Sequence, residues 1–208
     1  MTAAFKISPV LDAGTEPEIE LPPYPGIALE NVTLVRTVEQ AQLAAGALLA
    51  SDTVGFDTES RPTFMKGQQS DGPHLIQLAT DSHVYLFHLV VEGSGSVEPL
   101  RAVLESAAVL KVGFGLSDDL KRLRAKLGID CQGVLDLAVA LRQTKRGDVG
   151  AKSAVARFFG QKLQKSKKIS TTNWALPRLS EKQIAYAADD AHVALKVYRA
   201  WKAGKPAA

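Results

Sequence analysis

Thr53-Val-Gly-Phe-Asp-Thr-Glu59 decides how this chain is read, because an apolar run ends there in two acids one residue apart. Side chains alternate along a strand, so Asp57 and Glu59 project from one face while Val54 and Phe56 project from the other. Neighbouring carboxylates repel, which raises one pKa unless a cation lies between them. A hard, oxygen-liganded metal such as Mg²⁺ or Mn²⁺ removes that conflict. Taken alone the pattern is common, and a strand end with two solvated acids reads the same.

Two further acidic stretches give it meaning. Tyr186-Ala-Ala-Asp-Asp190 lies in a helical pattern near the C-terminus, and residues four apart share a helix face, so Tyr186 stands one turn from Asp190. Ala185, Ala187, Ala188 and Ala191 let that helix approach another element closely. Asp118 and Asp119 follow Ser117 in a first helical turn, where acids also stabilise the helix dipole. Each stretch has a plain structural alternative: a core tyrosine beside a surface acid, or helix capping. Together they offer carboxylates from three elements, enough donors for two divalent cations, with a tyrosine placed to orient an attacking water. That is the ligand set of two-metal phosphodiester chemistry.

The rest of the chain alternates strand and helix signals. Val32 to Val35 reads as a strand, and Thr37-Val-Glu-Gln40 has capping-box spacing that opens a helix to about Ala50. His74 to Ala79 and Val84 to Leu89 read as an antiparallel hairpin. Pro99 to Glu105 is helical, and Val109 to Gly113 is a buried strand. Ser117 is expected to cap an amphipathic helix with Leu116, Leu120, Leu123 and Leu127 on one face, closed by Gly128. Val134 to Leu141 reads as strand-to-helix, and Ser153 to Phe159 as a helix. Ser180-Glu-Lys-Gln183 repeats the capping-box spacing before a final helix to about Trp201. The predicted fold class is α/β, a mixed β-sheet flanked by α-helices. Residues 1–28, with five prolines, are expected to form an irregular acidic arm, and residues 29–208 the domain proper.

At 208 residues and 46% hydrophobic, the chain can bury one substantial core. Charge is uneven: residues 145–168 hold eight bases (Lys145, Arg146, Lys152, Arg157, Lys162, Lys165, Lys167, Lys168) against the single acid Asp148. Such a basic surface fits a polyanionic partner, although a solvated charged face is the common alternative. Cys131 is the only cysteine, which rules out an intrachain disulfide and a thiolate zinc cluster. No apolar h-region opens the sequence, and no apolar run approaches the roughly 20 residues that span a bilayer. These features lead us to expect a soluble, cytoplasmic protein.

The ordered motifs resemble the DEDD superfamily of 3′–5′ exonucleases, with the RNase H-like (DnaQ-like) fold. The first motif matches Val54-Gly-Phe-Asp57-Thr-Glu59. The second matches Lys111 to Leu123, with the family aspartate at Asp119 rather than Asp118. The third is Tyr186-Ala-Ala-Asp-Asp190-Ala191, and its tyrosine indicates the DEDDy subclass; the sibling class has a histidine where this chain has Ala185. Within the subclass the chain is most similar to the exonuclease domains of ribonuclease D and the Werner-type proteins. Leu75-Ile-Gln-Leu78, Val134-Leu-Asp136-Leu and Asn173-Trp174 add support, and the similarity covers about residues 30–200.

The resemblance implies that Asp57, Glu59, Asp119 and Asp190 bind two divalent cations roughly 3.5–4 Å apart. Asp57 would bridge both, and Tyr186 would orient the attacking water. A free tyrosine has a pKa near 10, which favours orientation over a general-base role. The implied partner is the 3′ end of nucleic acid, single-stranded DNA or RNA, and the implied product a nucleoside 5′-monophosphate. Lys165, Lys167 and Lys168 are candidates for phosphate contacts, with Arg61 a weaker one. Trp174 is a candidate base-stacking platform, set against a buried packing role; His192 reads as structural. About residues 30–200 are expected to correspond to the exonuclease domain of ribonuclease D, not to the helical RNA-binding domains that follow it there. The rival readings are a catalytically silent nucleic-acid-binding module, an endonuclease on the same fold, and a phosphodiesterase specific for very short oligonucleotides.

Overall fold

The computed structural model describes residues 20–63, 68, 70–90, 96–143 and 147–204. Six strands form one mixed sheet: β1 (Val32–Val35), β2 (Thr53–Glu59), β3 (Leu75–Ala79), β4 (Val84–His88), β5 (Leu110–Gly113) and β6 (Val134–Asp136). Their spatial order is β1-β4-β3-β2-β5-β6. The expected hairpin is present, with β3 antiparallel to both β2 and β4, while β1 joins β4, and β5 and β6 extend β2, all in parallel. This mixed sheet flanked by helices is the predicted α/β architecture.

Helices α1 (Val38–Leu49), α2 (Val97–Leu104) and α3 (Ser117–Leu127) cover one face, burying Val54, Phe56, Ile76, Leu78 and Phe87. The opposite face packs on α7 (Glu181–Lys202), with α4 (Leu137–Ala140) and α5 (Ala151–Phe159) beside it. A one-turn helix, α6 (Lys167–Ser170), carries no recognisable signal in the sequence. Among the described residues no helix is long and apolar enough to cross a membrane.

Both capping boxes form as read, at Thr37 with Gln40 and at Ser180 with Gln183. Gly128 closes α3 in the left-handed conformation at φ 62°. Ser117 departs from expectation. It is the first residue inside α3, and no side chain of the cap position Leu116 bonds the helix start. The acceptor comes instead from Asp136 at the end of β6, whose carboxylate takes the Gly115 and Leu116 N–H groups at 2.9 and 3.0 Å. A carboxylate from a neighbouring strand thus ties the turn before α3 to the sheet edge, and it also caps α4 by accepting the Ala138 N–H at 2.9 Å.

Of the expected arm, residues 1–19 lie outside the described residues. Residues 20–28 dock against the domain: the backbone N–H of Tyr24 donates to Lys162 O at 3.0 Å, and that of Lys162 to Pro22 O at 2.8 Å. The Ile27 N–H donates to Asp189 Oδ1 at 2.8 Å.

The sheet and α7 meet most tightly at Gly55. A β-carbon there would lie 1.9 Å from the Ala191 carbonyl oxygen of α7. Backbone cannot retreat as a flexible side chain can, so Gly55→Ala must push α7 off the sheet. We expect a loss of about 3 kcal/mol in chemical denaturation; unchanged stability would show that α7 does not rest on β2 as described.

Candidate active site

Because Gly55, Asp57 and Glu59 alternate with Val54, Phe56 and Thr58, both acids of β2 face α7 while Thr58 faces α3. Asp190 comes down onto Asp57 and Glu59 from α7, in a stretch where Ala187, Ala188 and Ala191 are fully buried against the sheet. Asp119 arrives from the other side, in the first turn of α3, and accepts a short hydrogen bond from the Thr58 hydroxyl. The Thr58 N–H donates to Asp57 Oδ1 at 2.8 Å. The strand end thus gathers Asp57, Glu59, Asp119 and Asp190 from three elements, as the motif order requires. Asp118 stays outside, exposed and paired with Lys121 at 2.9 Å.

The cluster is electrostatically strained. Burial pushes the Asp57 carboxyl well above the usual carboxylate range, and the charges of Asp190 and Asp119 push it further. Burial, then Asp57 and Asp190, raises Glu59 to about 9. Asp190 rises to about 6 through burial, against the opposing pull of Lys165 and a hydrogen bond from Tyr186. Burial raises Asp119 too, with Thr58 and Arg122 pulling the other way. Tyr186 is driven above its ordinary value by burial and then by Asp190, Glu59 and Asp57.

Two cations already serve the cluster: Arg122 Nη1 lies 3.8 Å from Asp119 Oδ1, and Lys165 reaches the other acids. Lys165 Nζ lies 2.9 Å from Asp190 Oδ1 and 5.9 Å from the centre of the Tyr186 ring. Burial alone would depress its pKa, but Asp190, Asp57 and Glu59 outweigh that and raise it. Lys165 therefore stands among the acids, whereas Lys167 and Lys168 are exposed on α6. Arg61 is half exposed and paired with Asp71 at 2.7 Å, on the wall of a cavity of about 350 Å³ shared with Pro62, Gln68, Thr171 and Asn173. A larger cavity of about 660 Å³ separates residues 70–72 from the α3 face carrying Arg122 and Lys126. Lys145 and Arg146 of the basic run lie outside the described residues.

Of the two roles read for Trp174, the structure shows the buried packing one, and the candidate base-stacking role is corrected. Its side chain is completely buried, its ring centre is 6.2 Å from that of Tyr186, and its indole N–H donates to Ser170 O at 3.3 Å. It supports the tyrosine from behind and offers no face to a base. His192 faces away from the acids toward Asp81 O at 3.4 Å, as read.

Three residues lie in stretches quoted from the sequence, but their roles are not read there. Thr58 holds Asp119, Asp136 anchors the start of α3, and Gln77 stands directly opposite Asp57 in the β2–β3 register. Gln77 is fully buried, and its amide nitrogen and oxygen have no hydrogen-bond partner. Such a pair of orphaned atoms is costly. Its pairing register was the available signal, once β2 and β3 were known to be neighbours.

Among the described residues no three acids, histidines or cysteines close around one point as ligands of a single ion. Asp119 is engaged by Thr58, and Asp190 by Lys165. The donor set still fits a hard divalent cation. Every candidate ligand is a carboxylate oxygen, and their mutual repulsion is what positive charge relieves. The buried Gln77 amide, unpartnered among the described residues, adds polar atoms opposite Asp57.

A family model described as 3′-5′ exonuclease matches residues 32–202. The chain belongs to the 3′-5′ exonuclease family. A 3′-5′ exonuclease of Arabidopsis thaliana is 31% identical over 155 residues, covering 72% of this chain and 52% of that protein. The chain thus spans about half of that relative, and 23% of the human exonuclease mut-7 homolog, which is 31% identical over 205 residues and 84% of this chain. The solved EXO domain of Aedes aegypti Nibbler shares the fold at TM-score 0.70 and 26% identity, over 84% of this chain and 88% of that one. This exonuclease-family chain carries the RNase D-like, DnaQ-like fold on which such nuclease sites are built.

The raised carboxyls make a prediction for the metal-free protein. Folded-state values above the unfolded ones mean that these acids favour folding when protonated. That stability is fully present below about pH 4, near the unfolded carboxyl values, and is lost as pH rises toward the folded value of about 9 for Glu59. Thermal melts in chelator should show Tm falling between pH 5 and about 9, and saturating Mn²⁺ should flatten that decline. A chelated protein whose Tm does not fall over this range would contradict the described electrostatics.

Proposed function

We propose that this chain is a two-metal-ion 3′–5′ exonuclease of the tyrosine subclass, acting on the 3′ end of single-stranded DNA or RNA and releasing nucleoside 5′-monophosphates. The observation that carries the reading is the meeting of Asp57, Glu59, Asp119 and Asp190 at one strand end, with Tyr186 one helical turn from Asp190. Those acids would hold the cations, which when bound supply activation of water and neutralisation of charge developing on the leaving oxygen.

The chain's own residues account for the remaining tasks. Tyr186 stays protonated, since its surroundings push its pKa upward. It therefore holds a water by its hydroxyl and is unsuited to take its proton. Trp174 and the buried alanines fix the ring and helix and keep the hydroxyl beside Asp190, to which it is hydrogen-bonded. Thr58 restrains Asp119 from the side away from the substrate. Lys167 and Lys168 offer exposed positive charge for phosphates further along the strand, a sequence-independent attraction that weakens with salt.

A single-stranded oligonucleotide labelled at its 5′ end, incubated with Mg²⁺ or Mn²⁺, should give a ladder shortening one nucleotide at a time. Internal cuts would favour an endonuclease, tight binding without cleavage a silent module, and action restricted to very short oligonucleotides a specialised phosphodiesterase. Asp57→Asn should abolish hydrolysis while leaving strand binding largely intact. Tyr186→Phe should lower kcat about 100-fold or more without changing the melting temperature appreciably. Replacing Lys167 and Lys168 by alanine should weaken association and reduce the slope of its salt dependence by about 0.7 for each phosphate no longer neutralised; an unchanged slope would remove them from the binding surface.

A further inference from the structure

Lys165 is set deeper than a phosphate contact requires. Its side chain is 28% exposed and that of Asp190 only 4%, so their pair at 2.9 Å is largely withdrawn from solvent. The backbone around it is held on both sides. Lys162 is hydrogen-bonded to the docked segment at Pro22 and Tyr24, and Leu163 is buried. On the other side Ser166 begins α6. The ammonium can therefore move by rotating its four-carbon stem while the main chain stays fixed.

An ammonium and a divalent cation drawn to the same carboxylate oxygen repel one another, and in a partly desolvated cleft that repulsion is poorly screened. We propose that Lys165 is the resident counter-ion of Asp190, Asp57 and Glu59 in the metal-free protein, exchanged for a divalent cation on loading and thereby released toward the phosphate of a bound strand. This rests on the metal-binding reading of the same acids. Two consequences separate it from an ordinary phosphate contact. Lysine and cation compete for Asp190, so removing the lysine strengthens cation binding. Loading also frees the ammonium, so a bound cation raises the affinity for a nucleoside monophosphate through Lys165 as well as directly.

The test measures Mn²⁺ uptake by the full chain without substrate, from the loss of the free-ion electron paramagnetic resonance signal. Lys165→Met should bind Mn²⁺ about tenfold more tightly than wild type, a gain of about 1.4 kcal/mol. It should also gain more Tm from saturating Mn²⁺, while Lys165→Arg, which keeps the charge, should bind near wild type. In wild type, Mn²⁺ should tighten binding of a nucleoside 5′-monophosphate, and in Lys165→Met that enhancement should shrink. If the methionine variant does not fold without metal, purifying it with Mn²⁺ and titrating with a competing chelator reads the same affinity. Equal or weaker Mn²⁺ affinity in Lys165→Met overturns the inference while leaving the proposed exonuclease intact. A wild-type protein that takes up no Mn²⁺ removes both.

Discussion

Mutual repulsion among buried carboxylates is the constraint around which this molecule is arranged. Asp57 and Glu59 share a strand face, Asp190 is pressed down on them, and Asp119 closes the group from α3. A folded protein tolerates that only when the surrounding structure fixes the acids and supplies positive charge or donors. Gly55 and the alanines of α7 permit the helix to press so close. Thr58 and Asp136 hold the α3 side, one by bonding Asp119 and the other by bonding the turn that precedes it. Trp174 backs Tyr186. These residues are scattered through the sequence, yet each serves the same small cleft.

Much of the architecture was legible because local signals agreed with one another. Capping boxes at Thr37 and Ser180 set two helix starts, Gly128 set a helix end, and alternation in β2 placed Asp57 and Glu59 on one face. Those features are governed by contacts within a few residues. Ser117 shows where such reasoning stops. A serine ahead of two acids has the composition of a cap, but the structure uses Asp136, nineteen positions later and on another strand. A local rule was overridden by a long-range hydrogen bond.

The same limit explains the misplaced side chains. Trp174 carries an indole that suits either a base or a core, and only the packing of α6 and α7 decides between them. Lys165, Lys167 and Lys168 are one cluster in sequence but two populations in space: one beside the buried acids, two on the exposed turn of α6. Charge counting treats them alike. Burial separates them, and burial depends on where the α5–α6 connection crosses the sheet, which no periodicity reveals.

The docked segment supplies a last link between the chain's beginning and its site. Gly26 adopts φ 69°, and a β-carbon there would lie 2.4 Å from Asp189 Oδ1, so only glycine lets the segment run flush against α7. The Ile27 N–H then occupies the Asp189 carboxylate. Asp189 neighbours Asp190 on the helix and its charge pushes the Asp190 carboxyl upward, while the Ile27 N–H opposes the effect of burial on Asp189 itself. The same segment grips Lys162, three residues before that lysine. One short stretch of backbone thus holds a sequence neighbour of each member of the Lys165–Asp190 pair, from outside the motifs that create the electrostatic conflict at β2.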